Sequence, residues 1–343
     1  MKLLLTGTDG YIGTIMGPAL IEDGHEVIGL DTGFYRDGWL FHGSHRQLPA
    51  TLDKDLRHIQ EADLVDFEAV VHLAELSNDP LGQLNPEITY RINHAGSVEL
   101  ARKCKAAGVK RFVYASSCSV YGTGNDDFKT EESLVNPQTA YAECKMRVER
   151  DVSELADDTF SPTFLRNATA YGASPRMRFD IVLNNLAGHA WTAGEIKMTS
   201  DGMPWRPLVH VLDITKAVKC TLAADREAVH GQIFNVGDSG HNYRIKEIAE
   251  VVSEVFQGCS INFGNSDGDN RSYRVSFDKI NSRLPGFKCE WDAFSGAQQL
   301  RKVFERLDMS PEIFASRSYT RIKQLSYLIG TGQLDEDLFW RDL

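Results

Sequence analysis

The chain lacks several features that would mark it as a membrane, secreted or nucleic-acid-binding protein. No apolar run among its 343 residues approaches the length of a membrane span. The N-terminus has neither the charged segment nor the long apolar segment of a secretory signal peptide. Its 37 basic and 48 acidic residues give a net charge of −11, which disfavours nonspecific binding to nucleic acids or anionic membranes. We therefore expect a cytoplasmic protein with no nucleic-acid or membrane partner.

Cysteine is sparse and scattered along the chain. The six cysteines are Cys104, Cys118, Cys144, Cys220, Cys259 and Cys289. None belongs to a Cys-x-x-Cys pair, and none has the spacing to histidine that a zinc site requires. We expect reduced thiols and no metal site. The composition, with 42% hydrophobic and 25% charged residues, is that of an ordinary globular protein of one large or two smaller domains.

Regularly spaced glycines stand at the start of the chain. Residues 3–5 form an apolar run of the length of a buried strand, and Gly7, Gly10 and Gly13 follow at intervals of three. Residues 14–23 have helical spacing, so the segment predicts a strand, a tight turn and a helix. Glycine allows the backbone to approach a ligand closely, and a helix N-terminus offers free N–H groups to a phosphate.

An acidic residue strengthens this interpretation. The next apolar run, 25–30, ends on Asp31, which lies 18 residues after Gly13. This is close to the spacing of a carboxylate that binds the hydroxyls of an adenosine ribose. A plain strand–turn–helix is the alternative for the glycines alone, but with Asp31 they predict a dinucleotide site. Asp31 would repel a 2′-phosphate, and Arg36 comes only five residues later, so NAD is favoured over NADP.

Short apolar runs alternate with helical patterns along the first half of the chain. Strands are predicted at 67–74, 111–116 and 164–167, and helices at 86–108 and from Pro137. This alternation indicates an α/β fold with a doubly wound parallel sheet of the Rossmann type. We predict a dinucleotide-binding domain over 1–172, to which 205–237 contribute. A smaller α/β substrate-binding lobe with a helical C-terminal tail follows over 173–343.

A second constellation consists of Ser117, Tyr141 and Lys145. On a helix, Tyr141 and Lys145 share one face, about 6 Å apart along the axis. An ammonium group stabilises a phenolate and lowers the tyrosine pKa from its usual value of about 10. Ser117, at a strand end, can bind the same hydroxyl as the phenol. Tyr-x-x-x-Lys alone is common by chance, but in this context it predicts removal of an alcohol proton while hydride leaves to a nicotinamide.

These motifs resemble those of the extended short-chain dehydrogenase/reductases, and within them the nucleotide-sugar epimerase/dehydratase branch. The resemblance also includes 72–74 (His-Leu-Ala), Asn93, 116–122 and 234–237 (Phe-Asn-Val-Gly), and it covers roughly residues 1–290. It implies a Rossmann domain that holds NAD and a smaller lobe that holds a nucleoside-diphosphate sugar. It also implies a homodimer formed through helices near 87–107 and 137–156.

The motifs and their surroundings supply a set of predicted site residues. The predicted cofactor-binding residues are Gly7, Gly10, Tyr11, Ile12, Gly13, Asp31, Asp55, Leu56, Leu73, Ala74, Asn93, Tyr141 and Lys145. The predicted substrate-binding residues are Ser77, Ser117, Cys118, Asn167, Asn185, Arg206 and Arg271. For positions 55 and 56, which can flank an adenine ring, a solvated turn is the alternative. The resemblance implies that Asn185, Arg206 and Arg271 clamp the sugar diphosphate, which suits guanidinium chemistry; surface arginines are the alternative.

The combined motifs predict an NAD-dependent epimerase that acts on a nucleoside-diphosphate sugar through a transient 4-keto intermediate. In the family, 4,6-dehydratases carry an Asp-Glu pair after the catalytic hydroxyl residue. Cys118 and Ser119 stand there in this chain, which disfavours a dehydratase, and a small buried thiol is the alternative for Cys118. A ketoreductase or dehydrogenase would use the same residues and stays an alternative.

An alternative of another class is a non-catalytic nucleotide-binding regulator on the same fold. The presence of all three catalytic-type residues argues against it. The tail from 297 to 343 extends beyond the usual end of the family and has no predicted role.

Overall fold

The computed structural model describes residues 1–42, 47–77, 85–123, 127–264 and 271–341. Its strands are β1 (Lys2–Thr6), β2 (Glu26–Asp31), β3 (Ala50–Asp53), β4 (Ala69–His72), β5 (Arg111–Ser117), β6 (Phe128–Lys129), β7 (Ser161–Asn167), β8 (Thr169–Tyr171), β9 (Glu195–Lys197), β10 (Trp205–His210), β11 (Ile233–Val236), β12 (Asn242–Arg244), β13 (Ser260–Asn262) and β14 (Arg274–Val275). Its α-helices are α1 (Gly13–Glu22), α2 (Pro86–Thr89), α3 (Ser97–Ala106), α4 (Ala140–Ser153), α5 (Val182–Ala193), α6 (Val211–Ala223), α7 (Arg226–Val229), α8 (Ile245–Val255), α9 (Asp278–Arg283), α10 (Ala293–Leu307), α11 (Pro311–Ala315) and α12 (Arg321–Gly330).

Seven strands form a central parallel sheet in the order β11-β7-β5-β4-β1-β2-β3. This confirms the predicted fold class. The three leucines of β1 are fully buried, as expected for a strand covered on both faces. From β1 the chain passes to β2 and β3 on one side and to β4, β5, β7 and β11 on the other. A crevice opens at the carboxyl ends of the strands where the order reverses, and ligands of such sheets bind there.

Some predicted element boundaries were wrong for identifiable reasons. The helix predicted from Pro137 begins at Ala140, because the Thr139 hydroxyl accepts a hydrogen bond from the Ala142 N–H at 3.2 Å and caps it. The edge strand β3 was not predicted, since all four of its residues are exposed and give no apolar run. The helix predicted over 86–108 is divided by a π-helical stretch, Tyr90–Gly96, between α2 and α3.

A smaller lobe lies beyond β7. Strand β10 pairs in parallel with β8 and antiparallel with β12. Helices α5, α8 and α10 pack on one another around Leu183, Val252 and Leu300, which are fully buried. Between β10 and β12 the chain returns to the large sheet through β11, the edge strand beside β7. The two-domain division of the chain stays a prediction.

The C-terminal tail, which had no predicted role, packs back on the central sheet. Its leucines Leu325, Leu328, Leu334 and Leu338 are buried in the same cluster as Leu30 of β2. The tail therefore ends against the central sheet. Within the described ranges, no helix combines the length and apolar character needed to cross a bilayer.

Candidate active site

A cavity of about 740 Å³ opens at the carboxyl ends of the central strands. Most of the predicted site residues line it: Gly7, Gly10, Tyr11, Ile12, Gly13, Asp31, Asp55, Leu56, Leu73, Ala74, Ser77, Ser117, Tyr141, Lys145, Asn167, Asn185, Arg206 and Arg271. Two predicted residues, Asn93 and Cys118, lie outside this lining. Folding thus brings the glycine turn, the Ser-Tyr-Lys constellation and the predicted diphosphate clamp to one space.

The glycine turn is packed so tightly that a side chain would not fit. Gly7 has φ +74°, a conformation that favours glycine. A Cβ on Gly13 would lie 2.2 Å from the Gly7 carbonyl oxygen and 2.7 Å from that of Thr8. The bare backbone at the start of α1 is therefore open to close approach by a diphosphate, as a dinucleotide requires.

The ribose end of the site is organised around Asp31. Its carboxylate accepts hydrogen bonds from the backbone N–H groups of Gly33 (2.8 Å) and Asp9 (3.0 Å). Arg36 donates to Asp53 at 2.7 Å and lies 3.5 Å from a carboxylate oxygen of Asp9. The nearest arginine in sequence is thus paired with acids, which favours NAD over a 2′-phosphorylated dinucleotide.

The floor of the cavity beside the glycine turn is fixed by Thr6. Its hydroxyl accepts hydrogen bonds from the N–H groups of Leu73 and Ala74, both at 3.1 Å, and lies 2.7 Å from Nδ1 of His72. Burial lowers the pKa of His72 to about 3. This imidazole is therefore neutral at physiological pH, and its role is to orient Thr6.

Tyr141 and Lys145 stand one turn apart on α4. The ammonium nitrogen of Lys145 lies 5.5 Å from the centroid of the Tyr141 ring and donates to the carbonyl oxygen of Ala115. Ser117 ends β5 and lines the same cavity. Its hydroxyl oxygen accepts a hydrogen bond from the N–H of Ser119 at 3.1 Å. A hydroxyl, a phenol and an ammonium group therefore meet in one cavity.

A buried ion pair fastens α4 to the strand ends. Glu149 pairs with Arg166 of β7 at 2.7 Å and accepts a hydrogen bond from the Ser116 hydroxyl of β5. The side chains of Glu149 and Arg166 are each 5% exposed. Arg166 also donates to the Tyr121 hydroxyl at 2.9 Å. Separating the members of a buried ion pair is costly. The network therefore fixes the position of the helix that carries Tyr141 relative to Ser117.

Glu75 is a cavity residue that the sequence analysis missed. Its carboxylate lies 2.6 Å from the Lys145 ammonium and accepts a hydrogen bond from the Tyr114 hydroxyl at 2.5 Å. The Glu75 side chain is 1% exposed. Burial by itself lowers the pKa of Lys145, but Glu75, together with Tyr141 and Cys144, outweighs burial, so the pKa lies above its ordinary value. Its position directly after residues 72–74 was the available signal.

The structure places Cys118 outside the lining of the cavity, and its predicted substrate contact stays a prediction. Cys118 is 1% exposed within the apolar core, and its thiol donates to the Arg166 carbonyl oxygen at 3.1 Å. Burial raises the pKa of this thiol. The short 3₁₀ helix Cys118–Tyr121 turns Ser119 to the cavity instead, where its hydroxyl oxygen has no hydrogen-bond partner among the described residues.

Asn93 also lies outside the lining of the cavity. It is fully buried in the π-helical stretch, and its amide exchanges two hydrogen bonds with the backbone of Leu76, at 2.8 and 3.0 Å. Leu76 lines the cavity. Asn93 therefore holds the loop after β4, and its predicted contact with the cofactor stays a prediction.

The predicted substrate half of the cavity contains two arginines and two asparagines. Arg206 of β10 donates to the carbonyl oxygens of Trp205, at 2.9 Å, and Arg271. Asn185 donates to the carbonyl of Phe179 at 2.9 Å. The Oδ1 atom of Asn167 is buried without a hydrogen-bond partner in the described part of the chain. An orphaned acceptor of this kind is costly unless a ligand or water donates to it.

Comparison with known proteins agrees with this geometry. The NAD dependent epimerase/dehydratase family matches residues 3–237. The chain is 29% identical over 273 residues to the UDP-glucose 4-epimerase of Corynebacterium glutamicum, covering 74% of this chain and 80% of the relative. It is 30% identical over 256 residues to the enzyme of the same name from Mycolicibacterium smegmatis, covering 69% and 77%.

A solved structure extends the similarity to the tertiary level. The structure of MoeE5 in complex with UDP-glucuronic acid and NAD superposes with a TM-score of 0.76 at 25% identity, covering 89% of this chain and 99% of MoeE5. The glycine turn, Asp31 and the Tyr141–Lys145 helix all lie within the matched residues 3–237. The chain belongs to the NAD-dependent epimerase/dehydratase family.

Proposed function

We propose that the protein is an NAD-dependent epimerase that inverts C4 of a nucleoside-diphosphate sugar through a transient 4-keto intermediate. The observation that carries this proposal is the meeting, in one cavity, of the Tyr141–Lys145 pair, the glycine turn with Asp31, and the arginines Arg206 and Arg271. The similarity to UDP-glucose 4-epimerases supports it.

The proposed roles follow from the chemistry of each side chain. NAD held by the glycine turn and Asp31 would supply the acceptor and donor of hydride for the sugar carbon. Tyr141, as the phenolate, removes the proton of the C4 hydroxyl and later returns it to the same oxygen. The Lys145 ammonium stabilises the phenolate, and Ser117 donates a hydrogen bond to the C4 oxygen.

The diphosphate of the substrate is assigned to Asn185, Arg206 and Arg271. An epimerase must keep hold of the nucleotide while the keto sugar turns to present its other face. Guanidinium groups suit this task because they bind phosphate oxygens bidentately. The unpartnered acceptor of Asn167 and the hydroxyl of Ser119 supply further polar atoms near the sugar.

A ketoreductase or dehydrogenase on the same substrates would use the same residues, and cofactor stoichiometry separates the two. The purified protein should retain NAD and interconvert UDP-glucose and its C4 epimer without added cofactor, as followed by proton NMR. UDP-glucuronic acid should be tested alongside UDP-glucose. Net product that forms only in proportion to added NADH or NAD would reject the epimerase in favour of an oxidoreductase.

Elimination of water is disfavoured by the cavity itself. At the positions where 4,6-dehydratases carry an acid pair, Cys118 is buried in the core and Ser119 offers only a hydroxyl. Glu75, an acid within the cavity, is already paired with Lys145 and Tyr114. A non-catalytic regulator would not need Ser117, Tyr141 and Lys145 at one surface.

The pairing of Glu75 with Lys145 leads to a prediction on pH. In Glu75→Gln, the neutral amide no longer offsets the charge of Lys145. The phenolate of Tyr141 is then stabilised, so the pKa of Tyr141 falls. The acid limb of the kcat profile therefore moves to lower pH. The pKa of Lys145, now dominated by burial, also falls, which moves the alkaline limb the same way. We expect the whole profile to shift by about one pH unit towards acid.

The matched control for this shift is Glu143→Gln, which removes a carboxylate from the same helix. Glu143 pairs with Arg147 and is 33% exposed. Its replacement should leave the profile in place. Unchanged limbs in Glu75→Gln, or a shift towards alkali, would contradict the assigned role of Glu75.

We also propose that the protein is a cytoplasmic homodimer that pairs through the helices of 86–106 and 140–153. These helices lie side by side, with His94 2.7 Å from Asp151. Arg91 and Arg150 are exposed on them. Light scattering should give twice the mass of the 38.3 kDa chain, and a monomer at micromolar concentration would reject the dimer.

A further inference from the structure

A second group of charged residues lines the cavity outside the predicted set. It consists of Arg178, Asp180 and Arg321, and we refer to it as the Arg178–Arg321 cluster. Arg321 begins α12 in the C-terminal tail, beyond residues 3–237 that match the family. Arg178 and Asp180 lie within the matched range, so only Arg321 lies beyond the part of the chain that the family match covers.

The cluster contains one carboxylate and two guanidinium groups. Arg178 donates to both oxygens of Asp180, at 2.9 and 3.2 Å, and to the Ser77 hydroxyl at 3.2 Å. Asp180 also accepts the backbone N–H of Arg321 at 3.3 Å. The cluster therefore keeps a net charge of about +1, from two guanidinium groups and one carboxylate.

The guanidinium of Arg321 is the member without a carboxylate. It is 2% exposed and stacks on the Tyr35 ring, with 3.9 Å between the guanidinium carbon and the ring centroid. Across the described ranges, no acidic side chain lies within ion-pair distance of it. Burial lowers the pKa of Arg321 to about 10, so the group is still charged at neutral pH. A buried charge without a counter-ion is costly, and an anion in the cavity would remove that cost.

The position of the cluster identifies which anion it meets. Arg321 stacks on Tyr35 in the loop that follows Asp31, and both arginines line the same cavity as the glycine turn and Asp31. The cluster therefore faces the stretch between glycine turn and ribose carboxylate, where the dinucleotide diphosphate belongs. The sugar diphosphate already has Arg206 and Arg271.

The tail that carries Arg321 is fixed to the loop after Asp31. Gln324 donates to the Phe34 carbonyl at 3.0 Å, and the Trp340 indole N–H donates to the Thr32 carbonyl at 2.6 Å. The Phe339 ring of the tail also stacks on His58, with 4.7 Å between the ring centroids. Two hydrogen bonds and one ring stack thus seat the tail over the predicted adenosine end of the cavity.

We propose that Arg321, which the C-terminal tail carries, is part of the dinucleotide site and, together with Arg178, binds the dinucleotide diphosphate. The tail then acts as a strap over the ribose loop, and Arg321 places a positive charge opposite the helix N-terminus of α1. This inference rests on the NAD part of the proposed function and not on epimerisation.

The test measures ligand binding to the full-length protein. Arg321→Ala should weaken the binding of NADH and of ADP at least about tenfold, as expected for loss of a charge-assisted contact. It should leave the binding of UDP unchanged. Calorimetry or NADH fluorescence gives the constants. Lys323→Ala, which removes an exposed charge from the same helix, should change none of them. Arg321→Lys should recover part of the loss.

Two results would overturn the proposal. In one, Arg321→Ala binds NADH and ADP as tightly as the unaltered protein. In the other, UDP binding falls while ADP binding holds, which would assign the cluster to the sugar nucleotide. If Arg321→Ala does not fold, Arg321→Gln, which keeps the side-chain length, is subject to the same two criteria. The unaltered protein could bind NADH, lose that affinity in Arg321→Ala, and yet catalyse no epimerisation. This result would reject the proposed function and leave the inference on Arg321 standing.

Discussion

Tyr141→Phe is expected to lower kcat by about 10²- to 10⁴-fold, the usual contribution of a positioned acid–base group. The phenyl ring fills the same volume on α4 and loses only the hydroxyl that exchanges a proton with the sugar. Lys145 keeps its ion pair with Glu75 at 2.6 Å, so the helix should not move. NADH and UDP-glucose should therefore bind to the variant with nearly unchanged affinity.

Single-turnover epimerisation and ligand titration should both be measured on the same preparation of the variant. Tyr90→Phe is the matched control, because Tyr90 donates its hydroxyl to Glu143 on the neighbouring helix face and does not line the cavity. Its kcat should stay within about twofold of the unaltered enzyme, as for substitutions away from the chemistry. If Tyr141→Phe kept a tenth of the activity or more, another group would have to be the base.

Gly13→Ala is expected to abolish retention of NAD, with a loss of affinity of at least about 100-fold, since backbone displacement removes several diphosphate contacts at once. The added Cβ would meet the carbonyl oxygens of Gly7 and Thr8 at 2.2 and 2.7 Å and the Thr8 Cα at 2.8 Å. All three are backbone atoms, so no flexible side chain can yield. The glycine turn must open, and the N–H groups at the start of α1 then lose their alignment.

Bound NAD released by denaturation, and NADH titration, measure this loss. Gly330→Ala is the control, because Gly330 also lies in a helix, has no positive φ, and its added Cβ would meet nothing within 4 Å. It should bind NADH normally. Normal NADH affinity in Gly13→Ala would show that the diphosphate does not rest on this turn, and the dinucleotide site would have to be placed elsewhere.

Local sequence was sufficient for the parts of the site that depend on backbone geometry. The glycine spacing before α1 and the acid at the end of β2 are adjacent in the chain to the elements they serve. Tyr141 and Lys145 share a helix face because of the α-helical period. Each of these predictions needs only strand and helix geometry, which neighbouring residues specify.

The two predicted residues that lie outside the cavity lining stand in short irregular segments. Cys118 and Ser119 are adjacent in a 3₁₀ turn, and which of them faces the cavity depends on how the turn leaves β5. Asn93, which was predicted from the resemblance, lies in a π-helical stretch, whose turn is wider than that of an α-helix. Both orientations are set by packing against Arg166 and Leu76, which are remote in sequence.

By itself, the sequence determined the Rossmann-type fold, the preference for NAD and the Ser117–Tyr141–Lys145 set, because each is expressed in a short stretch with a regular backbone. Only the tertiary structure decided that Glu75 neutralises Lys145 and that Arg321 reaches the cavity. Glu75 and Lys145 lie 70 positions apart in the chain, and Arg321 is brought from the tail to residues of the first half of the chain. No local period encodes such contacts, since they depend on how the finished elements pack.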